Sequence, residues 1–328
     1  MALGNGTGPS NYPGGFASGV TLQNTPVSIP HPGKVFWVNN SSVLAPGGIA
    51  GSNGNDGTYQ RPFSTLDYAI GRCTANRGDV IYIMPGYTQT MSAADAVDID
   101  VAGVRVVGLG RGTLMPTFTY DNSAGEFVIG ADNVRIENLR FVPSVTGITH
   151  AVNVEATFDH VEIVNCRFET GEAAGTDEFL ICISVGTTAN YGLIQGCYLD
   201  QGLAGAATGI SLATPQYWVL KDNFIMGDYS TACVATITGA GVLCQMLNNI
   251  MINGEPGALG TVAIFTQSAA GTWFVSGNIW ASDVATSLDN LFTNGTSSIN
   301  GGNMYTDDTT LASTAVDRSA TITVSADA

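Results

Sequence analysis

The chain has 328 residues, 45% of them hydrophobic and only 12% charged, with 11 Lys+Arg against 27 Asp+Glu and a formal net charge of −16. Such a field repels nucleic acid and anionic membrane, so neither is expected as a partner, and it disfavours a polyuronate substrate too. No apolar run is long enough to span a bilayer, and no basic segment followed by an apolar stretch marks a secretory leader; synthesis in a reducing cytoplasm is the expectation.

Residues 1–52 are rich in Gly, Pro, Asn and Ser, hold Lys34 as their only Lys or Arg, and show no lasting periodicity. Pro26, Pro30 and Pro32 favour extended backbone, and Val35-Phe36-Trp37-Val38 can form one strand. A segment of this composition cannot bury enough of its own surface to order itself. It is expected to be an extended arm held by contacts with a partner. The turn cluster Asn53-Gly54-Asn55-Asp56-Gly57-Thr58 follows. A short helix is then expected over 64–73, with Ser64 as N-cap, Asp67 three residues on, and Leu66, Ala69, Ile70 and Cys73 on one face. Gly78-Asp79-Val80-Ile81-Tyr82-Ile83-Met84-Pro85-Gly86-Tyr87 reads as the first full strand and turn.

From Val104 to Tyr305 the chain repeats. Val134-Arg135-Ile136-Glu137-Asn138-Leu139-Arg140-Phe141 recurs at 161–168 and 192–199, and further copies end in Asp222-Asn223-Phe224-Ile225, Asn248-Asn249-Ile250-Met251, Gly277-Asn278-Ile279-Trp280 and Gly302-Asn303-Met304-Tyr305. The position of Asn138 falls at 108, 138, 165, 196, 222, 248, 277 and 302, in steps of 25 to 31 residues. A period in this range marks a solenoid, whose repeats bury their apolar faces by stacking. Within each copy apolar and polar residues alternate, the signature of a strand with one buried face. A second short run precedes most copies: Phe127–Ile129, Val152–Val154, Leu180–Val185, Ile210–Leu212, Val234–Ile237 and Val262–Phe265. Val and Ile carry these strands, which argues against a leucine-rich repeat and for a parallel β-helix with parallel strands stacked coil on coil. The helix over 64–73 suits the exposed end of such a stack. Residues 306–328 remain as a C-terminal tail or cap strand.

The residue after the Asn138 position runs Leu139, Cys166, Cys197, Asn223, Asn249, Asn278, Asn303. Stacked in register, the four Asn amides can each donate to the next carbonyl oxygen, which makes a structural ladder the preferred reading over a polar site. Cys166 and Cys197 share that position, while Cys182, Cys233 and Cys244 lie in apolar runs. Six buried thiols are expected, with no disulfide framework and, lacking any C-x-x-C, no zinc site.

Taken in order, Asn55-Asp56-Gly57-Thr58, Arg61-Pro62-Phe63-Ser64-Thr65-Leu66, Ala69-Ile70, Gly78-Asp79-Val80-Ile81-Tyr82-Ile83 and Pro85-Gly86-Tyr87 resemble the opening segment of right-handed parallel β-helix proteins of the pectin-lyase-like superfamily. Later coils such as Asn165-Cys166-Arg167-Phe168 look similar, and the likeness covers roughly 51–305. It implies an all-β, right-handed parallel β-helix over 53–305. It leaves function open, because that superfamily includes lyases, hydrolases, adhesins and phage virion proteins.

Lyases of this superfamily place Arg or Lys bases beside acidic calcium ligands, and its hydrolases use Asp residues on adjacent coils with Gly-His-Gly and Arg-x-Lys segments. The hydrolase motifs are absent: none of His31, His150 and His160 has Gly on both sides. Asp98 and Asp100 flank Ile99, as on a solvated strand face. Asp177-Glu178 and Asp307-Asp308 are adjacent, so extended chain points each pair to opposite faces. Glu137, Glu162, Arg135, Arg140 and Arg167 occupy outward positions of two neighbouring coils, and ion-paired ladders are preferred there over a lyase-like patch. No catalytic, cofactor-binding or metal-binding residue is assigned. From Glu169 onward only Lys221 and Arg318 are basic against 14 acidic residues. Trp218, Met226, Trp273 and Ile279 fall at outward offsets and would form a patch that a monomer does not leave wet, so a homotrimer is expected.

These features together imply a structural phage virion protein: a capsid decoration, head-fibre or tail component. Residues 1–50 would dock it to capsid or tail proteins, and the β-helix would project. A tailspike-type polysaccharide depolymerase, or a non-catalytic adhesin binding a host-surface glycan, are the alternatives.

Overall fold

Short alternating runs make short strands, and in the computed structural model of the protein these strands stack coil on coil into three parallel sheets. The structure describes residues 20–22, 25–27, 33–41, 44, 47–171, 177–202, 205–255, 258–259, 264–269, 271–282, 299–306 and 314–316. The first sheet holds Val35–Val38, Val80–Ile83, Arg105–Gly108, Arg135–Glu137, Glu162–Val164, Leu193–Gln195, Val219–Lys221, Cys244–Leu247, Trp273–Ser276 and Ile299–Gly301 in sequence order. The second sheet runs from Thr88–Met91 through Thr117–Tyr120, Arg140–Pro143, Arg167–Phe168, Tyr198–Asp200, Phe224–Gly227, Ile250–Glu255 and Ile279–Ala281 to Asn303–Thr306. The third holds Val97–Ile99, Phe127–Ile129, Ile148–Val154, Phe179–Val185, Thr208–Leu212, Ala232–Thr236 and Phe265–Gln267. Each coil passes from the third sheet to the first, then to the second. The chain is an all-β parallel β-solenoid, as its periodicity implies.

The repeat read in the sequence is the repeat of one corner. Between the first and second sheets the backbone turns on a residue with positive φ: Asn138 (57°), Asn165 (52°), Gly196 (64°), Asp222 (55°), Asn248 (54°), Gly277 (69°) and Gly302 (64°). Asn, Asp and Gly tolerate this left-handed conformation where most side chains do not, which is why they recur there. The turn after Gly108 uses Gly110 instead (101°). Register follows from the corners, so Ile136 pairs with Val106 on one side and Ile163 on the other.

The next residue forms the expected ladder. Asn223 Nδ2 donates to Asn249 Oδ1, Asn249 Nδ2 to Asn278 Oδ1 and Asn278 Nδ2 to Asn303 Oδ1, each at 2.9 Å, and all four side chains are buried. Each Oδ1 also accepts a backbone N–H from the preceding coil, beginning with that of Cys197 to Asn223 at 2.9 Å. Inside, Phe118, Phe141 and Phe168 stack in one file, with ring centroids 5.6 and 5.0 Å apart. All six cysteines are free thiols, five of them buried and Cys73 half-buried.

Trp218 and Trp273, expected outward, are instead 0% and 1% exposed. They share the position of Val134 and Val161, four residues before the corner, which faces the core in the coils where it is described. Their bulk is accommodated because the coil beneath is thinned: a Cβ on Gly192 would lie 2.2 Å from Trp218 Cη2, and one on Gly241 would lie 2.2 Å from Trp273 Nε1. Met226 is half-buried and Ile279 exposed, both facing outward as expected.

The helix is shorter than expected, Leu66–Ile70, with Leu66, Ala69 and Ile70 buried against Val35–Val38, Val80–Ile83 and Val97–Ile99. Thr65 rather than Ser64 is its N-cap residue, and it makes no side-chain cap bond. Asn53 Oδ1 takes that role from a distant turn, accepting from Ser64 N–H (3.1 Å), Ser64 Oγ (2.9 Å) and Thr65 N–H (3.3 Å). Asp79, fully buried, accepts from Lys34 N–H (2.6 Å), Thr74 N–H (2.8 Å) and both Nε (2.7 Å) and Nη2 (2.6 Å) of Arg77. The motif residues that carry the resemblance are thus spent on joining segments. Most of the arm lies outside the described residues. Val35–Val38, within its expected bounds, pairs with Val80–Ile83 in the first sheet. Of 306–328, Thr306 ends the Asn303–Thr306 strand, Thr314–Val316 pairs antiparallel with Asn303–Tyr305, and the rest lies outside the described residues.

Candidate functional site

The best-defined constellation of titratable groups lies on the outer face of the third sheet, near its N-terminal end. Strand alternation buries Val97 and Ile99 and turns Asp98 outward. Two coils on, Glu155 follows the buried Val154, and both carboxyls converge over Gly130. A Cβ there would sit 3.1 Å from Glu155 Oε2 and 3.2 Å from Asp98 Oδ1. The Asp98 N–H donates to Asp67 Oδ1 at 3.4 Å, while Asp98 Oδ1 is buried with no hydrogen-bond partner. Burial, then repulsion from Asp100, Asp95, Glu155 and Asp67, pushes the Asp98 carboxyl up to about 6. The expected solvated face holds for Asp100, which is exposed, but Asp98 is half-buried.

Further along the same face Glu126 accepts from Asn153 Nδ2 at 2.8 Å and stands 3.9 Å from His150 Nδ1. Burial lowers the His150 imidazole, against the pull of Glu126. Ala94, Ser123, Glu126, Thr149 and His150 line an open cavity of about 250 Å³. His160 belongs to a different element, the corner between the third and first sheets. There it stacks on Tyr191 (centroids 5.0 Å apart), which stacks on Tyr217 (4.7 Å).

The Arg and Glu side chains of neighbouring coils do not form one patch. The corner divides them into two sets. On the first sheet Glu137 Oε2 binds Arg105 (2.6 Å) and Arg135 (3.1 Å), and Arg135 also reaches Glu162. Burial pushes Glu137 up, but its bonds to Arg105 and Arg135 outweigh that and hold the carboxyl low. On the second sheet Glu169 binds Arg140 (2.6 Å) and Arg167 (3.0 Å), whose guanidinium lies 4.8 Å from the Tyr198 ring centroid. Both sets are ion-paired ladders running from coil to coil, as expected. A groove of about 580 Å³ beside Arg140 is lined by Thr117, Thr119, Ser144, Thr170 and Asp177. Asp177 lines this groove while Glu178 is only 3% exposed, so the adjacent pair does diverge. His31, Asp307 and Asp308 lie outside the described residues.

A carboxyl pushed upward beside a second carboxyl is the raw material of general acid–base catalysis. The strands of the third sheet, however, contain no Arg or Lys to act as a base beside it. Among the described residues no group of three His, Cys, Asp or Glu is arranged to hold a metal ion. The Asp98–Glu155 convergence escaped the sequence reading. Its only signal is that Asp98 lies within one third-sheet strand and Glu155 follows another two coils on.

No known family and no curated protein sequence matches the chain. Solved structures do. The chain is similar to a rhamnogalacturonan lyase at 15% identity and a TM-score of 0.57, covering 76% of this chain and 69% of that one. It is similar to the GH136 lacto-N-biosidase from Eubacterium ramulus at 11% identity and a TM-score of 0.53, covering 83% of this chain but only 56% of the biosidase. ORF18 of Geobacillus virus E2 aligns over 74% of this chain at 12% identity with a TM-score of 0.38, too distant to carry weight. At such identities the likeness speaks to fold alone: this is a parallel β-helix.

Proposed function

We propose that the protein is a structural, non-catalytic component of a phage virion, a capsid decoration, head fibre or tail element whose β-helix projects from a base docked by its Gly- and Pro-rich N-terminal segment. The observation that carries this reading is where the polar side chains are spent. Asn223 to Asn303, Arg105 to Glu162, Arg140 to Glu169 and Asp79 all tie one coil or segment to another. The acidic field and the unassigned, Lys- and Arg-poor N-terminal segment support it further. Deleting residues 2–30, which spares the Val35–Val38 strand, is expected to leave a folded β-helix that no longer binds virus particles. Undiminished attachment of that variant sinks the docking role.

A second reading, a polysaccharide-degrading enzyme, is favoured by one observation, the Asp98–Glu155 pair with its raised carboxyl. It requires glycan cleavage that disappears in Asp98→Asn.

A further inference from the structure

We propose that the outer faces of the first and second sheets are two halves of one contact, through which three copies of this chain pack side by side in a closed ring. The proposal deepens the structural reading and rests on it.

Both faces change character at the same level of the solenoid. Along one register column of the second sheet the outward residues run Thr88, Thr117, Arg140, Arg167, Tyr198, Phe224, Ile250, Ile279, Met304. Ile279 and Met304 are 42% and 47% exposed. The matching column of the first sheet runs Arg105, Arg135, Glu162, Leu193, Val219, Gln245, Phe274, with Phe274 44% exposed. Ionic coils give way to apolar ones between Glu162 and Leu193 on one face, and between Arg167 and Tyr198 on the other.

The corner leading into the first sheet supplies an independent observation. Its residues Gly103, Asn133, His160, Tyr191, Tyr217 and Leu243 all have positive φ, from 51° to 77°. Gly and Asn tolerate that conformation; Tyr and Leu do not. The bulky apolar residues stand at this corner only in the coils whose adjoining sheet face has lost its Arg and Glu ladder, and Leu243 is 55% exposed. A strained backbone that holds large apolar side chains out toward solvent, beside an apolar face, marks a surface made to be covered.

A second copy is the occupant that fits. The two faces flank one edge of the solenoid, and copies set parallel at the same height place apolar coils against apolar and Arg–Glu coils against Arg–Glu. Among the outward positions of these strands beyond Glu169 whose side chains are described, Asp200 and Lys221 are the only charges, and exposed Asp222 at the corner between the two faces lies 3.7 Å from Lys221. Joining unlike faces is a heterologous contact. It closes as a ring where the rotation between copies divides a full turn, and three is the smallest number that closes, because a two-fold contact pairs like with like.

The test is the mass of the full-length protein in solution, with Phe274→Asp spoiling one face and Ile279→Asp the other. A trimer is expected for the parent chain and a monomer for each variant at unchanged circular dichroism. Mixing the two variants should give a 1:1 dimer, since each retains the face the other lacks. A monomeric parent, or a parent dimer broken by only one of the substitutions, overturns the ring. A parent monomer that still binds particles sinks the ring alone, whereas a trimer that degrades glycan sinks the structural reading alone.

Discussion

Asp79 and Asp98 are driven in opposite directions by their surroundings. Burial would raise Asp79, but the Arg77 fork and the N–H groups of Thr74 and Lys34 outweigh it and hold the carboxyl low. A depressed carboxyl stabilises the fold above its unfolded value near 4, and that contribution disappears as pH falls. Asp98 has the reverse sign. With its carboxyl pushed up from 3.8 to about 6, its contribution is fully present below the unfolded value and is lost as pH rises through about 6. Asp98→Asn is therefore expected to stabilise the protein at pH 8 by about 1 kcal/mol, a figure reduced from the full shift because the group is partly exposed, and to flatten stability between pH 4 and 6. Thermal unfolding across pH checks this, and a lower melting temperature for the variant at pH 8 contradicts it. Asp79→Asn should cost about 2 to 3 kcal/mol at neutral pH, since buried N–H donors and Arg77 lose a charged acceptor. The outward turn of Asp98 was legible in Asp98-Ile99-Asp100. Its meeting with Glu155 was not, because neither strand carries any mark of which coil lies above it.

At the scale of the element, the two corners of each coil explain what the sequence displayed and what it hid. The corner between the first and second sheets is built from Asn, Asp and Gly, residues whose chemistry announces a left-handed turn, so the repeat could be read directly. The corner before the first sheet has the same geometry but holds Asn133, His160, Tyr191, Tyr217 and Leu243, which share no chemistry and showed no period. Trp218 misled for a related reason: its offset reads as outward, while the Gly192 that makes room for it inside sits one coil earlier. The Asn ladder was legible because every member occupies one repeat position. Asn278 makes links at 2.9 Å to Asn249, Asn303 and the Met246 carbonyl, so Asn278→Leu should cost about 3 kcal/mol by leaving buried amides unpaired. Denaturant unfolding measures it, and a loss below about 1 kcal/mol would show that the ladder is incidental. Tyr191 poses a balance. Its left-handed backbone costs roughly 1–2 kcal/mol, and its two stacks return roughly 0.5–1.5 kcal/mol each. Tyr191→Gly is thus expected to be nearly neutral for the fold, whereas Tyr191→Ala, which keeps the strain and loses the stacks, should be clearly destabilising.

Across the whole molecule, the polar groups divide by purpose. Arg and Glu tie the N-terminal coils, Asn amides tie the C-terminal ones, and the remaining acids form an uncompensated field. The acidic face around Asp98 breaks that pattern, where the buried Asp98 Oδ1, without a hydrogen-bond partner, meets a second carboxyl over a glycine. In a structural protein this is a local cost that protonation relieves; in an enzyme it is a general acid. The measurement that separates the two most directly is reducing-end release, with unsaturated-uronide absorbance read in parallel, from a panel of neutral and acidic polysaccharides incubated with the full-length protein at pH 5 to 8. The structural account predicts no release from any of them, and Asp98→Asn indistinguishable from the parent except in its stability. Release by the parent that is abolished in both Asp98→Asn and Glu155→Gln, each still folded, would contradict it.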